Sequence, residues 1–135
     1  MSIFPATLQE LYGGNSRKEF KMEKIDDMQL FELFQRALEC CGMFLLNCDP
    51  QDIEYFIFEE FDGDCSSFLH EISLSKLFDY GHISAEVYSK CRLLYKKFRQ
   101  MEGTIMWNAN SVKTSPEWRV ILSLSDEIKS MIHST

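Results

Sequence analysis

Two side chains in this sequence stand at a metal-ligand spacing, Cys65 and His70, five residues apart. A structural zinc site needs four such ligands in a tetrahedron, and no second pair and no Cys-x-x-Cys accompanies them. The other histidines, His82 and His133, are scattered, so no metal site is expected. The run Glu60-Phe61-Asp62-Gly63-Asp64, followed by Glu71, has the carboxylate density of a calcium loop. With Glu60 at position one, Glu71 falls at position twelve, but Cys65 then takes the sixth position, where the sharp turn needs glycine. With Asp62 at position one, the twelfth is Ser73, and this register fails too. Gly13-Gly14 is followed by Asn-Ser-Arg-Lys, without the spacing or the final Ser/Thr of a phosphate-binding loop. No serine sits in a nucleophile elbow. The pair Glu59–Glu60 could move protons, but with no cleft or partner groups in view it reads as a solvated helix end. The chain is therefore read as a non-enzyme, with no catalytic residue, metal or cofactor.

Charge is the feature that stands out. From Ala37 to Ser75 there is no Lys or Arg, while nine acids fall in the same stretch: Glu39, Asp49, Asp52, Glu54, Glu59, Glu60, Asp62, Asp64 and Glu71. Of the formal net charge of −7, the first 36 residues contribute −1, this window −9 and the remainder +3. A surface built only for solubility mixes signs, because oppositely charged neighbours stabilise helices; the window contains none. Its acids alternate with aromatics. On a helix from Pro50, Ile53, Phe56 and Ile57 share one face, while Glu54, Tyr55, Phe58, Glu59 and Asp62 show on the opposite one. Aromatic anchors surrounded by charge have the composition of a protein-binding hot spot. The expected partner-binding residues are Asp52, Glu54, Tyr55, Phe58, Glu59, Glu60, Asp62, Asp64 and Glu71. Tyr55 and Phe58 have a second reading, as packing against a neighbouring helix. An acidic balance suits a basic partner; it suits nucleic-acid phosphates and anionic membranes poorly.

The elements that must carry this surface are helical. The 135 residues fit one compact domain, and 45% hydrophobic content with eleven Phe supplies a core without help from disulfides or metal. Gly and Pro are sparse and sit between periodic segments. Residues 5–12 read as a first helix stopped by Gly13-Gly14, and residues 13–25 as an exposed connector. Asp26-Asp27 caps the next helix. Its stripe of Leu30, Phe31, Phe34, Ala37, Leu38, Cys41, Phe44 and Leu45 carries it to about Leu46. Asp49-Pro50 is a further start. Residues 53–61 are rich in strand formers, yet their length and the Asp-Pro start favour helix, closed by Asp62-Gly63-Asp64. Ser66 or Ser67 would cap a helix to Tyr80, ended by Gly81. Another runs from Ser84 to about Glu102, with Val87, Cys91, Leu94, Phe98 and Met101 inward. A turn-rich stretch with Trp107 precedes Ser115-Pro116-Glu117. The last helix presents Trp118, Ile121, Leu124, Ile128, Met131 and Ile132 to the core. The expectation is an all-α single compact domain of five or six helices. The five cysteines, an odd number with no basic, apolar leader before them, read as mostly buried reduced thiols of a cytoplasmic protein. Apolar runs fall far short of the ~20 residues of a membrane span.

Small, acidic, poor in motifs and marked by an acid-and-aromatic segment, the chain resembles the immunity proteins of bacterial contact-dependent growth inhibition systems. The stretches that carry the resemblance are Phe44-Leu-Leu-Asn-Cys-Asp-Pro-Gln-Asp-Ile-Glu-Tyr-Phe-Ile-Phe-Glu-Glu-Phe and Ser115-Pro-Glu-Trp-Arg-Val-Ile-Leu-Ser-Leu-Ser-Asp-Glu-Ile. The likeness is of whole-chain character and rests on no invariant motif. It implies a non-enzymatic protein that binds and neutralises the C-terminal toxin domain delivered by a neighbouring cell, often a nuclease. Contacts vary between members, so the resemblance assigns no site residues. The alternative, from another class, is a helical regulatory or adaptor subunit that binds a basic protein of its own cell.

Overall fold

The computed structural model describes residues 25–133, and among these every regular element is a helix. The expected first helix and nearly all of the connector lie outside the described residues. The connector's last residue, Ile25, expected to be exposed, is buried. Six helices follow: α1 (Asp27–Glu39), α2 (residues 50–68), α3 (Glu71–Asp79), α4 (Ala85–Met101), α5 (Ala109–Thr114) and α6 (Pro116–His133).

Helix α1 opens with a reciprocal cap. The Asp26 carboxylate accepts the Gln29 N–H at 2.8 Å, and the Gln29 side chain accepts the Asp26 N–H at 3.2 Å, which satisfies two end donors at once. Leu30, Leu33, Phe34, Ala37 and Leu38 form its buried stripe. The helix ends at Glu39, earlier than the expected Leu46, and a 3₁₀ turn (Met43–Asn47) carries the rest of the stripe. Helix α6 takes over the polar groups of the break. Ser125 Oγ and Lys129 Nζ each donate to the Cys41 carbonyl at 2.8 Å, and Asp126 Oδ2 accepts the Met43 N–H at 3.0 Å. A backbone end so satisfied needs no further helical turn. Close approach requires glycine between them: a Cβ on Gly42 would lie 2.5 Å from Asp126 Oδ1.

Helix α2 begins at Pro50 as expected, α-helical over Pro50–Ile53 and then π-helical over Glu54–Phe61. It does not close at Asp62-Gly63-Asp64 but continues as α-helix through Asp62–Phe68. The Asp62 N–H reaches back to the Ile57 carbonyl, the wider π closure. Ser66 and Ser67 therefore lie inside α2, and α3 is capped instead by His70, whose Nδ1 accepts the Ile72 N–H at 3.2 Å. Gly81 and Gly103, at φ 82 and 81, turn the chain after α3 and α4 in the left-handed region where a side chain is strained. Ser84 caps α4 and Ser115 caps α6 by accepting first-turn N–H groups. The stretch read as turns contains α5, capped by Asn108.

The core lies where α4 packs along α6, and rings of α2 reach both, Phe61 against Phe98 of α4 and Phe58 against Trp118 of α6. Phe61 stands edge-on to Phe98 at 4.9 Å, Trp118 edge-on to Phe98 at 5.9 Å, and Trp107 beside Phe98 at 5.2 Å. Trp118 is fully buried, and its indole N–H donates to the Met106 carbonyl at 2.7 Å, so the large ring costs no unsatisfied donor. No disulfide joins any of the five cysteines, and four of them are buried. Burial pushes the Cys41 and Cys91 thiols up to about 12, so neither is a nucleophile at neutral pH. No helix among the described residues is long and apolar enough to cross a membrane.

Candidate functional site

The acidic window does not form one surface. Apart from Glu39, exposed at the end of α1, its acids fall into three groups according to where α2 and the start of α3 point each side chain.

Glu60 and Asp64, expected outside, are buried at 5% and 2% exposure. Because α2 runs on to Phe68, these residues continue the inward stripe of Ile53 and Ile57 at three- and four-residue spacing. The Asp64 carboxyl sits among apolar groups with no hydrogen-bond partner for Oδ1 among the described residues. Burial, and then the charge of Glu60 one turn earlier, raises it to about 7. The same two carboxylates, after burial itself, hold the Cys40 thiol far above its ordinary range. Tyr55 lies half-buried beside Glu60, and burial followed by that carboxylate raises its phenol.

Asp62 and Glu71 are spent on contacts within the molecule. Arg99 of α4 donates to Asp62 Oδ1 at 2.7 Å, to the Asp62 carbonyl at 3.0 Å and to Ser66 Oγ at 3.0 Å. Its guanidinium also lies 5.2 Å from the Phe98 ring centre and 5.5 Å from that of Tyr95. Glu71 pairs with Arg92 at 3.1 Å and accepts the Tyr88 hydroxyl. Phe58 packs against the core, edge-on to Trp107 at 4.8 Å and to Trp118 at 5.9 Å. A π-helix advances fewer degrees per residue, which brings Phe58 round from the flank toward the buried face. For Phe58 the packing reading holds.

Asp52, Glu54 and Glu59 are exposed, as expected. With Asp49, the helix cap, they form a set of four carboxylates without an ion pair among the described residues. Beside them runs a row of rings. Phe44, 40% exposed, stands edge-on to Phe56 at 5.6 Å, and Phe56 edge-on to Tyr55 at 5.5 Å. Phe56 lies one turn from Asp52 and from Glu59. Phe44 and Phe56 escaped the sequence reading because both fit apolar stripes; the break after Glu39 sends Phe44 outward. The surface that remains is a short acidic and aromatic patch on the first half of α2 and the 3₁₀ turn before it.

No three His, Cys, Asp or Glu side chains among the described residues stand close enough to hold a metal ion. The segment with the carboxylate density of a calcium loop is helical on both sides of Leu69 and His70. Compared with protein-family models, curated proteins and solved structures, the chain matches none. Fold and surface together define an all-α domain with an acidic patch that has no ion pair among the described residues.

Proposed function

We propose that this protein binds and neutralises a basic protein, in the manner of a toxin-immunity protein facing a nuclease domain, through Asp49, Asp52, Glu54 and Glu59 with Phe44, Tyr55 and Phe56. The observation that carries the reading is the set of four exposed carboxylates without an ion pair among the described residues, beside the exposed Phe44 and the partly buried Tyr55 and Phe56. Charges kept for solubility gain from pairing. These have forgone it, and an unpaired acidic face accelerates encounter with a basic one. Against a nuclease, carboxylates on one helix stand where phosphates would stand in the basic cleft, and the rings supply the desolvated contact that lengthens residence. The resemblance to contact-dependent immunity proteins supports the same reading.

The test is co-purification with the product of the adjacent gene, followed by an assay of that product's activity with and without this chain. Asp52→Ser, Glu54→Ser and Glu59→Ser combined should weaken binding roughly 10- to 100-fold, on the order of 0.5–1 kcal/mol per exposed charge. The residual binding should be less sensitive to salt. Unchanged affinity and unchanged salt dependence would remove the patch from the interface. A partner bound tightly but left fully active favours the adaptor reading over neutralisation.

A further inference from the structure

The cation-rich part of the chain has its own open surface. Helices α4 and α6 leave a groove of about 610 Å³ between them. Leu93, Pro116, Val120 and Leu124 give it an apolar floor, and Lys97 and Arg119 stand on its rim. Leu93 and Val120 are 44% and 49% exposed, large apolar side chains with water on one side. Neither Lys97 nor Arg119 is ion-paired among the described residues, whereas the groove's one acid, Glu127, is already paired with Lys90 at 3.1 Å. The groove therefore suits a partner surface that brings carboxylates to its rim and rings or aliphatic groups to its floor.

The acidic patch of α2 has that composition. We propose that a second copy of this chain occupies the groove, its Asp52 and Glu59 reaching Lys97 and Arg119 and its exposed Phe44 covering Leu93 and Val120. Among the described residues neither surface is ion-paired within its own molecule, and each supplies what the other lacks. The contact joins two different faces, so it is head-to-tail: one molecule offers its patch and keeps its groove open for the next. Self-association and partner binding then compete for the same four carboxylates, and a basic partner disperses the assembly when it binds.

The experiment is sedimentation velocity on the full chain up to about 1 mM at about 0.05 M and about 0.5 M salt. Wild type should show concentration-dependent growth of its sedimentation coefficient at low salt, weakened roughly tenfold or more at high salt. Lys97→Gln with Arg119→Gln removes the charge of the groove, and Asp52→Asn with Glu59→Gln removes that of the patch, with no new matched pair of charges created between the two variants. Asp52, Glu59 and Arg119 are exposed and Lys97 is partly so, and unchanged far-UV circular dichroism verifies folding. Each variant alone should remain monomeric. Mixed, they should form a one-to-one dimer that grows no further, because one keeps an intact patch and the other an intact groove. A wild type that is monomeric throughout overturns the proposal. So does association that resists salt, or a mixture of the two variants that stays monomeric. The groove variant also separates this proposal from the function proposed above, since it loses self-association while retaining its hold on a basic partner.

Discussion

Replacing Asp64 by Asn should make the protein more stable near neutral pH and remove much of its pH dependence there. The wild-type carboxyl is 2% exposed and is raised from 3.8 to about 7 by burial and by Glu60. A carboxyl whose folded value lies above its unfolded one binds a proton in the folded state that the unfolded chain has lost. Its favourable contribution is complete below pH 3.8 and is lost as pH rises toward about 7. The slope is at most ~1.4 kcal/mol per pH unit, which caps the loss across the window at ~4 kcal/mol. Between pH 5 and pH 7, above the range where ordinary carboxylates titrate, the expected fall is about 2–3 kcal/mol, or roughly 10 °C in Tm for a domain of this size. The groups facing Asp64 sharpen the argument. Glu60 comes from its own helix and Cys40 from the end of α1, with its thiol held neutral. Urea titrations at pH 5, 6, 7 and 8 read the effect. Asp64→Asn, which keeps the shape and cannot ionise, should reduce the pH 5-to-7 difference to below about 1 kcal/mol and exceed wild type by about 1–3 kcal/mol at pH 8. A wild type equally stable at pH 5 and 7, or a variant with an undiminished slope, refutes the burial of an ionisable carboxyl at this position.

Phe58→Ala should lower stability by about 3–5 kcal/mol, since it opens a cavity between Trp107 and Trp118; once folding is controlled by working well below its Tm, partner affinity should be near wild type. Arg99→Met should cost about 2 kcal/mol in urea unfolding, because three charge-assisted contacts that tie α4 to α2 are lost while the stem's packing is kept. Gly42→Ala should destabilise by about 1–3 kcal/mol, because its methyl displaces Asp126 from the Met43 N–H; the added Asp126→Ala change should cost little beyond the single variant, a non-additivity that a double-mutant cycle detects.

Much of the fold was legible because local signals there agree with the tertiary result. Ser84 and Ser115 cap the helices their positions announce, Gly81 and Gly103 end the helices before them, and Trp118, Ile121, Leu124 and Ile128 are buried. The errors have tertiary causes. Phe44 and Leu45 continue the apolar period of α1, yet the helix stops at Glu39 because side chains of α6, more than eighty residues away, bind the backbone between Cys41 and Met43. Periodicity within one segment carries no information about such a distant claim on the main chain. At Asp62-Gly63-Asp64, residues that favour turns sit inside a helix. Arg99 explains part of this, since it fastens both the side chain and the carbonyl of Asp62, and that contact too comes from another helix.

The misplaced end of α2 changed the site more than it changed the fold. A helix closed at Phe61 leaves Glu60 and Asp64 at a solvated terminus; the same helix carried to Phe68 turns them inward. A window with nine acids and no cation is thereby divided by one element's length. Two of its carboxylates are driven into the core, where burial raises Asp64 toward neutrality, and two, Asp62 and Glu71, are matched by arginines of α4. Asp49, Asp52, Glu54 and Glu59 are exposed and have no ion pair among the described residues. That residue of the imbalance is smaller than the sequence suggested, and it is more specific. A general excess of negative charge repels anything acidic and attracts anything basic, whereas four carboxylates along two turns beside Phe44, Phe56 and Tyr55 fix an orientation as well as a sign. If the binding reading holds, neutralising Glu59 as Gln must weaken association, while neutralising Asp64 as Asn, compared at about pH 8 where its carboxyl carries its charge, must leave it unaltered and change only stability. The two acids are five residues apart on one helix, so net charge alone cannot account for such a difference.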